Sequence, residues 1–84
     1  MDKFYGLARY LSIEKRSDFY LGLKEIEELI GQPLSKSAYT YSAYWFPTKT
    51  HYSANLIRDL GFKVSPDLKN KRIRLMRIET EKRQ

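Results

Sequence analysis

The segment from Leu23 to Phe46 constrains the fold of this chain more than any other part of the sequence. The apolar residues of its first part recur at helical spacing, with charged residues mainly on the opposite side: Leu23, Ile26, Leu29 and Ile30. Gly31 follows, where a residue that tolerates positive φ can end a helix, and Pro33 prevents the helix from resuming. The pattern predicts a helix with one buried face, a glycine stop and a turn.

A second helix is predicted after this turn, over residues 36–45. Ser35 or Ser37 is a suitable N-cap, since a serine oxygen can accept hydrogen bonds from the free amides of a first helical turn. Trp45 and Tyr41 are expected to be buried, because bulky aromatic residues at helical spacing cannot all face solvent. A helix, a tight turn and a second exposed helix is the arrangement by which many proteins enter the major groove of DNA.

The sequence on either side of this segment predicts further short elements. Residues 3–13 place apolar side chains on one helical face, and residues 19–21 form a brief apolar run suited to a short strand. Thr48 or Thr50 opens another helix over residues 51–60, which ends at a glycine. The chain is therefore expected to contain three to four short helices.

The C-terminal part of the sequence predicts a β-hairpin. Residues 62–65 alternate apolar and polar side chains, and residues 66–70, PDLKN, are typical of a turn. Residues 72–75 then alternate arginine with isoleucine and leucine, as in a half-buried strand. Met76 breaks the alternation, so either the strand is bulged there or both of its faces are partly covered.

These elements together predict one α+β domain over residues 1–78, a winged helix-turn-helix-like fold with a C-terminal β-hairpin. The 84 residues support one small core, and the absence of cysteine leaves its stability to packing. Residues 79–84 lack an apolar anchor and are expected to fray.

A longer motif, EIE-x-x-x-G-x-PL-x-x-SA, runs through the middle of the chain and is followed by paired aromatic residues and a Gly-aromatic pair. Its residues here are Glu25, Ile26, Glu27, Gly31, Pro33, Leu34, Ser37 and Ala38, then Trp45 with Phe46 and Gly61 with Phe62. In these positions the chain resembles a small, poorly characterised family of bacterial and phage domains over residues 4–78. Two positions depart from it: Ser35 replaces a second proline, and Phe46 replaces a second tryptophan. The resemblance implies a loose association with phage and restriction-like proteins and no established reaction.

The basic charge of the chain is concentrated near its C-terminus. The formal net charge is +6; residues 1–62 carry eight Lys or Arg against seven Asp or Glu, and residues 63–84 carry eight against three. Clustered cations attract a polyanion by releasing its counterions, and nucleic acid is the most abundant polyanion in cells. The alternative is a solvated, solubilising tail.

Charge and predicted fold together indicate a nucleic-acid-binding module whose ligand is duplex DNA. The start of the second helix offers side chains for base contacts, and the hairpin and the loop before the next helix offer cations for the phosphates. The candidate binding residues are Lys36, Ser37, Tyr39, Thr40, Lys49, Lys69, Lys71, Arg72 and Arg74. Arg72 and Arg74 should point away from the core on one face of the sheet. For any single one of these cations, an ordinary charged surface is the alternative.

Catalysis has little support in the sequence. His51 is the only histidine, there is no cysteine nucleophile, and no spacing of ligands suggests a metal site. Glu25, Glu27 and Glu28 fit a solvated helix face. The four glycines are isolated, so no glycine-rich loop is available to bind phosphates. We therefore expect no enzyme activity, no metal and no cofactor.

A second functional class remains open. If they are exposed, the Tyr residues and Trp45 would also suit a small protein-binding module, such as a phage-encoded inhibitor of a host defence nuclease. An inhibitor that imitates DNA is usually acidic, so the basic charge favours nucleic acid or an acidic protein partner.

A cytoplasmic protein without membrane contact is expected, because the sequence has no signal-peptide pattern and no apolar run of about 18–20 residues. The oligomeric state is left open.

Overall fold

The computed structural model describes residues 4–47 and 52–78, which form helices and three β-strands. In chain order the elements are helix α1 (Tyr5–Ile13), strand β1 (Asp18–Gly22), helices α2 (Leu23–Ile30) and α3 (Lys36–Thr40), a 3₁₀ helix (Ser42–Trp45), helix α4 (Tyr52–Asp59), strand β2 (Phe62–Asp67), a second 3₁₀ helix (Leu68–Asn70) and strand β3 (Arg72–Arg77). The predicted α+β class and order of elements are confirmed. The predictions for Lys49, for His51, for a helix start at Thr48 or Thr50, and for residues 79–84 lie outside the described residues.

The three strands form one antiparallel sheet in the order β1-β3-β2. The predicted hairpin is the β2–β3 pair, and the short strand predicted over residues 19–21 is β1, which pairs with the other side of β3. Met76 stays in register, opposite Asp18 on one side and Lys63 on the other, and its side chain is half-buried. Of the two predictions for Met76, partial covering of both strand faces is therefore correct, and the strand is not bulged there.

The turn of the hairpin is shorter than the sequence predicted. Pro66 and Asp67 belong to β2, and only Leu68–Asn70 forms the turn, as a 3₁₀ helix. Pro66 is tolerated in this strand because β2 lies at the edge of the sheet, where a missing N–H need not remove a hydrogen bond of the ladder.

The core lies between one face of the sheet and the helices. Its largest fully buried side chains come from every layer of the fold: Trp45, Phe62, Leu7, Leu11, Leu23, Ile26, Ile57, Ile73 and Leu75. The Phe19 and Phe62 rings meet edge to face with their centroids 5.8 Å apart. Trp45 is fully buried as expected, and its indole Nε1–H donates to the Ala38 carbonyl oxygen at 3.0 Å.

The predicted helix over residues 36–45 is not continuous. Helix α3 ends at Thr40, Tyr41 is extended with φ −117° and ψ 118°, and the chain continues as a 3₁₀ helix. In a continuous helix Trp45 would lie about 10 Å along the axis from Ala38. The extended residue redirects the chain, so that the buried indole reaches the Ala38 carbonyl. The same break turns Tyr41 outward, and its 63% exposure shows that the expectation of a buried Tyr41 was wrong.

Candidate nucleic-acid interface

The outer face of the sheet, which is turned away from the core, collects charged side chains from all three strands. Side chains alternate across a strand, and the buried residues Phe19, Leu21, Ile73 and Leu75 define the inner face. The outer face therefore carries Asp18 and Tyr20 of β1, Lys63, Ser65 and Asp67 of β2, and Arg72, Arg74 and Met76 of β3. The expectation that Arg72 and Arg74 share one face away from the core is confirmed.

Arg74 forms a two-point ion pair with Asp18 of the neighbouring strand. Its Nε donates to Oδ1 at 2.8 Å, and its Nη2 donates to Oδ2 at 2.5 Å. The hydrogen bonds from Arg74 lower the pKa of the Asp18 carboxyl, and the carboxylate raises the pKa of Arg74. Arginine has five N–H donors, so this pair leaves further donors of Arg74 available.

Arg72 is held between a carboxylate and an aromatic ring. Its Nε donates to Asp67 Oδ2 at 2.9 Å, and its guanidinium carbon lies 3.8 Å from the centroid of the Tyr20 ring. Hydrogen bonds from Asn70 and Arg72 lower the pKa of Asp67. Both arginines, which the sequence predicted to bind phosphate or to form an ordinary charged surface, are therefore ion-paired within the chain.

The turn of the hairpin carries two exposed lysines, Lys69 and Lys71. Lys71 adopts a left-handed backbone conformation with φ 53°, and its carbonyl oxygen accepts the Leu23 amide at 2.9 Å. The turn is thus tied to the start of α2 instead of projecting freely. In residues 4–47 and 52–78, neither of these lysines nor Lys63 has an ion-pair partner.

The residues of α3 that were predicted to make base contacts lie on the other side of the sheet from Arg72 and Arg74. Helix α3 packs into the core through Ala38, which is on the inner side of the sheet. Lys36 and Ser37 are exposed, and the exposed Thr40 donates through Oγ1 to the Lys36 carbonyl oxygen. The described residues therefore divide the candidate site into an outer-face group and an α3 group, and Lys49 lies outside them.

Tyr39 and Glu27 form a structural contact that the sequence did not reveal. Tyr39 is half-buried, and its hydroxyl is hydrogen-bonded to the Glu27 carboxylate. Glu27 also accepts the Leu34 amide at 2.9 Å. This bond lowers the pKa of Glu27 the most, and the bond from Tyr39 lowers it further. Burial raises the pKa of Tyr39, and Glu27 adds to this. Tyr39 therefore connects α3 to α2 rather than standing free for base contacts.

The expected solvated face of α2 is also only partly correct. Glu28 is exposed, but Glu25 accepts the Gly22 amide through Oε1 at 2.8 Å, at the start of the helix. Glu27 is bonded to the Leu34 amide of the turn, so two of the three glutamates accept backbone amides that lie outside α2.

An apolar groove of about 200 Å³ lies between the first 3₁₀ helix, α4 and the start of β2. It is lined by Trp45, Phe46, Pro47, Ala54, Arg58, Phe62, Lys63, Val64 and Ile78. Phe46 and Ile78 are 46% and 38% exposed. The sequence analysis did not predict this groove.

No three His, Cys, Asp or Glu side chains of residues 4–47 and 52–78 are grouped as a metal ion would require. None of the helices in these ranges is both long enough and apolar enough to cross a membrane. Compared with protein families, curated proteins and solved structures, the chain has no match.

Proposed function

We propose that this chain is a non-enzymatic nucleic-acid-binding domain that holds the phosphate backbone of duplex DNA on the outer face of its sheet. One observation carries the proposal: residues 62–77 contain six Lys or Arg and one Asp. Five of these cations lie on the outer face or in the hairpin turn and are called the basic face here: Lys63, Lys69, Lys71, Arg72 and Arg74.

Arg77 is not counted in the basic face, because it has a structural role. Its Nη2 donates to the carbonyl oxygens of Glu14 and Arg16 at 2.7 and 2.9 Å, and its guanidinium lies over the Phe62 ring. The side chain therefore fastens the end of β3 to the loop before β1.

The two ion pairs reduce the charge of the basic face without removing it. Asp18 and Asp67 offset two of its five positive charges, which leaves an excess of three. Each carboxylate also restrains its arginine, so less side-chain freedom is lost when a phosphate accepts one of the remaining N–H groups. A phosphate contact of this kind fixes position and is not specific for sequence.

The fold is consistent with a winged helix-turn-helix protein, in which the β2–β3 hairpin corresponds to the wing. The strand order β1-β3-β2 and the α2–turn–α3 unit support this assignment. Because Lys36, Ser37 and Thr40 lie across the sheet from Arg72 and Arg74, a duplex on the basic face does not also reach the start of α3. We therefore expect binding that depends little on base sequence.

The test is fluorescence anisotropy with a labelled random duplex between 50 and 200 mM salt. If about five phosphates are neutralised, affinity falls about 500-fold over this range. The double variant Lys69→Gln/Lys71→Gln should lower affinity and reduce the salt slope by about two. The matched control, Arg9→Gln/Lys36→Gln, removes the same charge at exposed residues of α1 and α3 and should change neither affinity nor salt slope. Equal effects of the two double variants would contradict the proposed interface.

A protein-binding role is a second candidate, favoured by the apolar groove. Trp45 is fully buried and cannot anchor a partner, but the exposed Phe46 and Ile78 can. Arg58 and Lys63 line the same groove, so an acidic segment with one apolar side chain is the complementary partner. A labelled peptide with one leucine among glutamates should bind more tightly than the same peptide built with lysines. Phe46→Ser should weaken that binding and leave duplex binding intact.

A further inference from the structure

The centre of the outer face presents an aromatic ring in contact with one arginine and opposite a second. Tyr20 is 49% exposed and stands directly opposite Arg74 in the β1–β3 register. The Arg72 guanidinium carbon lies 3.8 Å from its ring centroid. Gly22, the next outer-face position of β1, stands opposite Arg72 and adds no side chain to this surface. A flat stack of ring and guanidinium is therefore open to solvent in the middle of the basic face.

We propose that this stack binds an unpaired base of a nucleic acid, with the base lying against the Tyr20 ring or the Arg72 guanidinium. The inference rests on the proposed function, because the cations of the basic face must hold the phosphates on either side of that base. Stacking on an aromatic ring or a guanidinium plane is the common way in which proteins bind unpaired bases.

A fully paired duplex cannot use this stack in the same way. Its base faces are already stacked on one another, and only the base edges are accessible in the grooves. A duplex on the basic face therefore contacts the cations alone, whereas a single strand contacts the cations and Tyr20. Every base has a π face, so this preference for unpaired bases is not a preference for one sequence.

The ion pairs prepare the stack for binding. Asp67 is bonded to Arg72, which lies over the ring, and Asp18 is bonded to Arg74 on the strand position opposite Tyr20, so both guanidinium groups are ordered before the ligand arrives. The alternative is that the Tyr20–Arg72 contact is an ordinary cross-strand pair of a sheet surface. The two interpretations differ in whether the ring makes contact with the ligand.

The test compares Tyr20→Leu with Tyr20→Phe, which keeps the ring. Labelled 12-nucleotide single strands of DNA and of RNA and a blunt duplex of the same sequence are titrated by anisotropy at two salt concentrations. We expect Tyr20→Leu to lower single-strand affinity about 10-fold, with duplex affinity and the salt slope unchanged. Tyr20→Phe should bind like the parent chain. A single strand containing 2-aminopurine should lose fluorescence on binding to the parent chain and not on binding to Tyr20→Leu.

Failure of the inference and failure of the proposed function give different results. Salt-sensitive duplex binding together with unchanged single-strand affinity in Tyr20→Leu would overturn the base site alone. Absence of binding to all three nucleic acids would overturn both. An equal loss for duplex and single strand would also reject base stacking. If Tyr20→Leu does not fold, the fluorescence measurement on the parent chain still tests the inference. A 2-aminopurine strand that binds the parent chain without losing fluorescence would contradict it. A Tyr20→Leu loss seen with DNA, RNA or both supports it and identifies which strand the face binds.

Discussion

The Glu27 carboxylate of α2 accepts the Leu34 backbone amide at 2.9 Å, across the turn that begins at Gly31. Gly31 has φ 77°, which ends α2 and sends the chain back towards the side chain of Glu27. The Tyr39 hydroxyl is hydrogen-bonded to the same carboxylate. One glutamate therefore fixes both the turn and the orientation of α3.

Replacing Glu27 with glutamine should loosen the α2–α3 unit. The neutral amide oxygen is a weaker acceptor than the carboxylate, so the bonds to Leu34 and Tyr39 weaken together. We expect a lower thermal midpoint and faster hydrogen exchange of the Leu34 amide. Tyr39→Phe removes only one of the two bonds and should have the smaller effect on Leu34 exchange. If Tyr39→Phe has the larger effect, the Leu34 bond is not the main restraint.

The helices and strands of this fold could be predicted from local sequence, but the way in which they connect and pair could not. The periodicity of α2, the glycine stop at Gly31 and the alternation of β3 are local signals, and each was predicted correctly. The break at Tyr41 depends on a contact between Ala38 and Trp45, which a search for helical periodicity cannot detect. The pairing of β1 with β3 likewise joins residues far apart in the chain.

Replacing Trp45 with phenylalanine should destabilise the fold. The change leaves a cavity in the core and removes the indole donor from the Ala38 carbonyl oxygen, for a loss of about 2–4 kcal/mol. Urea unfolding followed by circular dichroism measures the effect. Phe46→Leu, at the exposed neighbour, is the control and should change stability little. Near-equal losses in the two variants would contradict the role given to Trp45.

The sequence located the cations of the candidate site but not their partners. Alternation placed Arg72 and Arg74 on one face correctly, because strand geometry alone determines the face. Their pairing with Asp67 and Asp18 depends on register and on β1, so local pattern did not reveal it. Glu25 had one available signal, its position three residues after Gly22, the residue that precedes the helix, which is typical of a capping side chain.

Removing the two carboxylates of the outer face should strengthen duplex binding. Asp18→Asn/Asp67→Asn raises the charge of the chain by two and releases Arg72 and Arg74 from their ion pairs. Under the proposed function, duplex affinity rises and its salt slope becomes steeper, as anisotropy would show. Asp59→Asn/Glu28→Asn, which adds the same charge away from this face, is the control. A gain of equal size in the control would indicate a general charge effect.

Stability should decline in acid partly through Glu14. Hydrogen bonds from the Arg16 side chain and amide lower the pKa of Glu14 from 4.5 to about 2. A carboxyl whose pKa is lower in the folded state stabilises the fold above its unfolded pKa, and this stabilisation is lost as the pH falls from about 4.5 to about 2. Asp18, Glu27 and Asp67 also have lowered pKa values and act in the same direction.

The measurement is urea unfolding between pH 2 and pH 7 for the parent chain and Glu14→Gln. The variant should be less stable at neutral pH and should lose less stability on acidification, because it lacks one of the shifted carboxyls. Glu28→Gln, at an exposed glutamate, is the control for the removal of one carboxylate. Parallel curves for the parent and Glu14→Gln would contradict the lowered pKa.

Gly6 should tolerate no side chain, because α1 approaches α2 at this residue. A Cβ atom at Gly6 would overlap the Leu29 carbonyl oxygen, which belongs to helix backbone and cannot move aside easily. Gly6→Ala therefore has to push α1 away from α2, and we expect a loss of about 1–3 kcal/mol or more despite the better helix propensity of alanine. Gly22→Ala is the matched control, since its φ of −71° suits alanine and its nearest neighbour is the flexible Glu25 side chain. Urea unfolding of both variants would decide, and a Gly6→Ala chain as stable as its parent would show that the two helices are not in backbone contact.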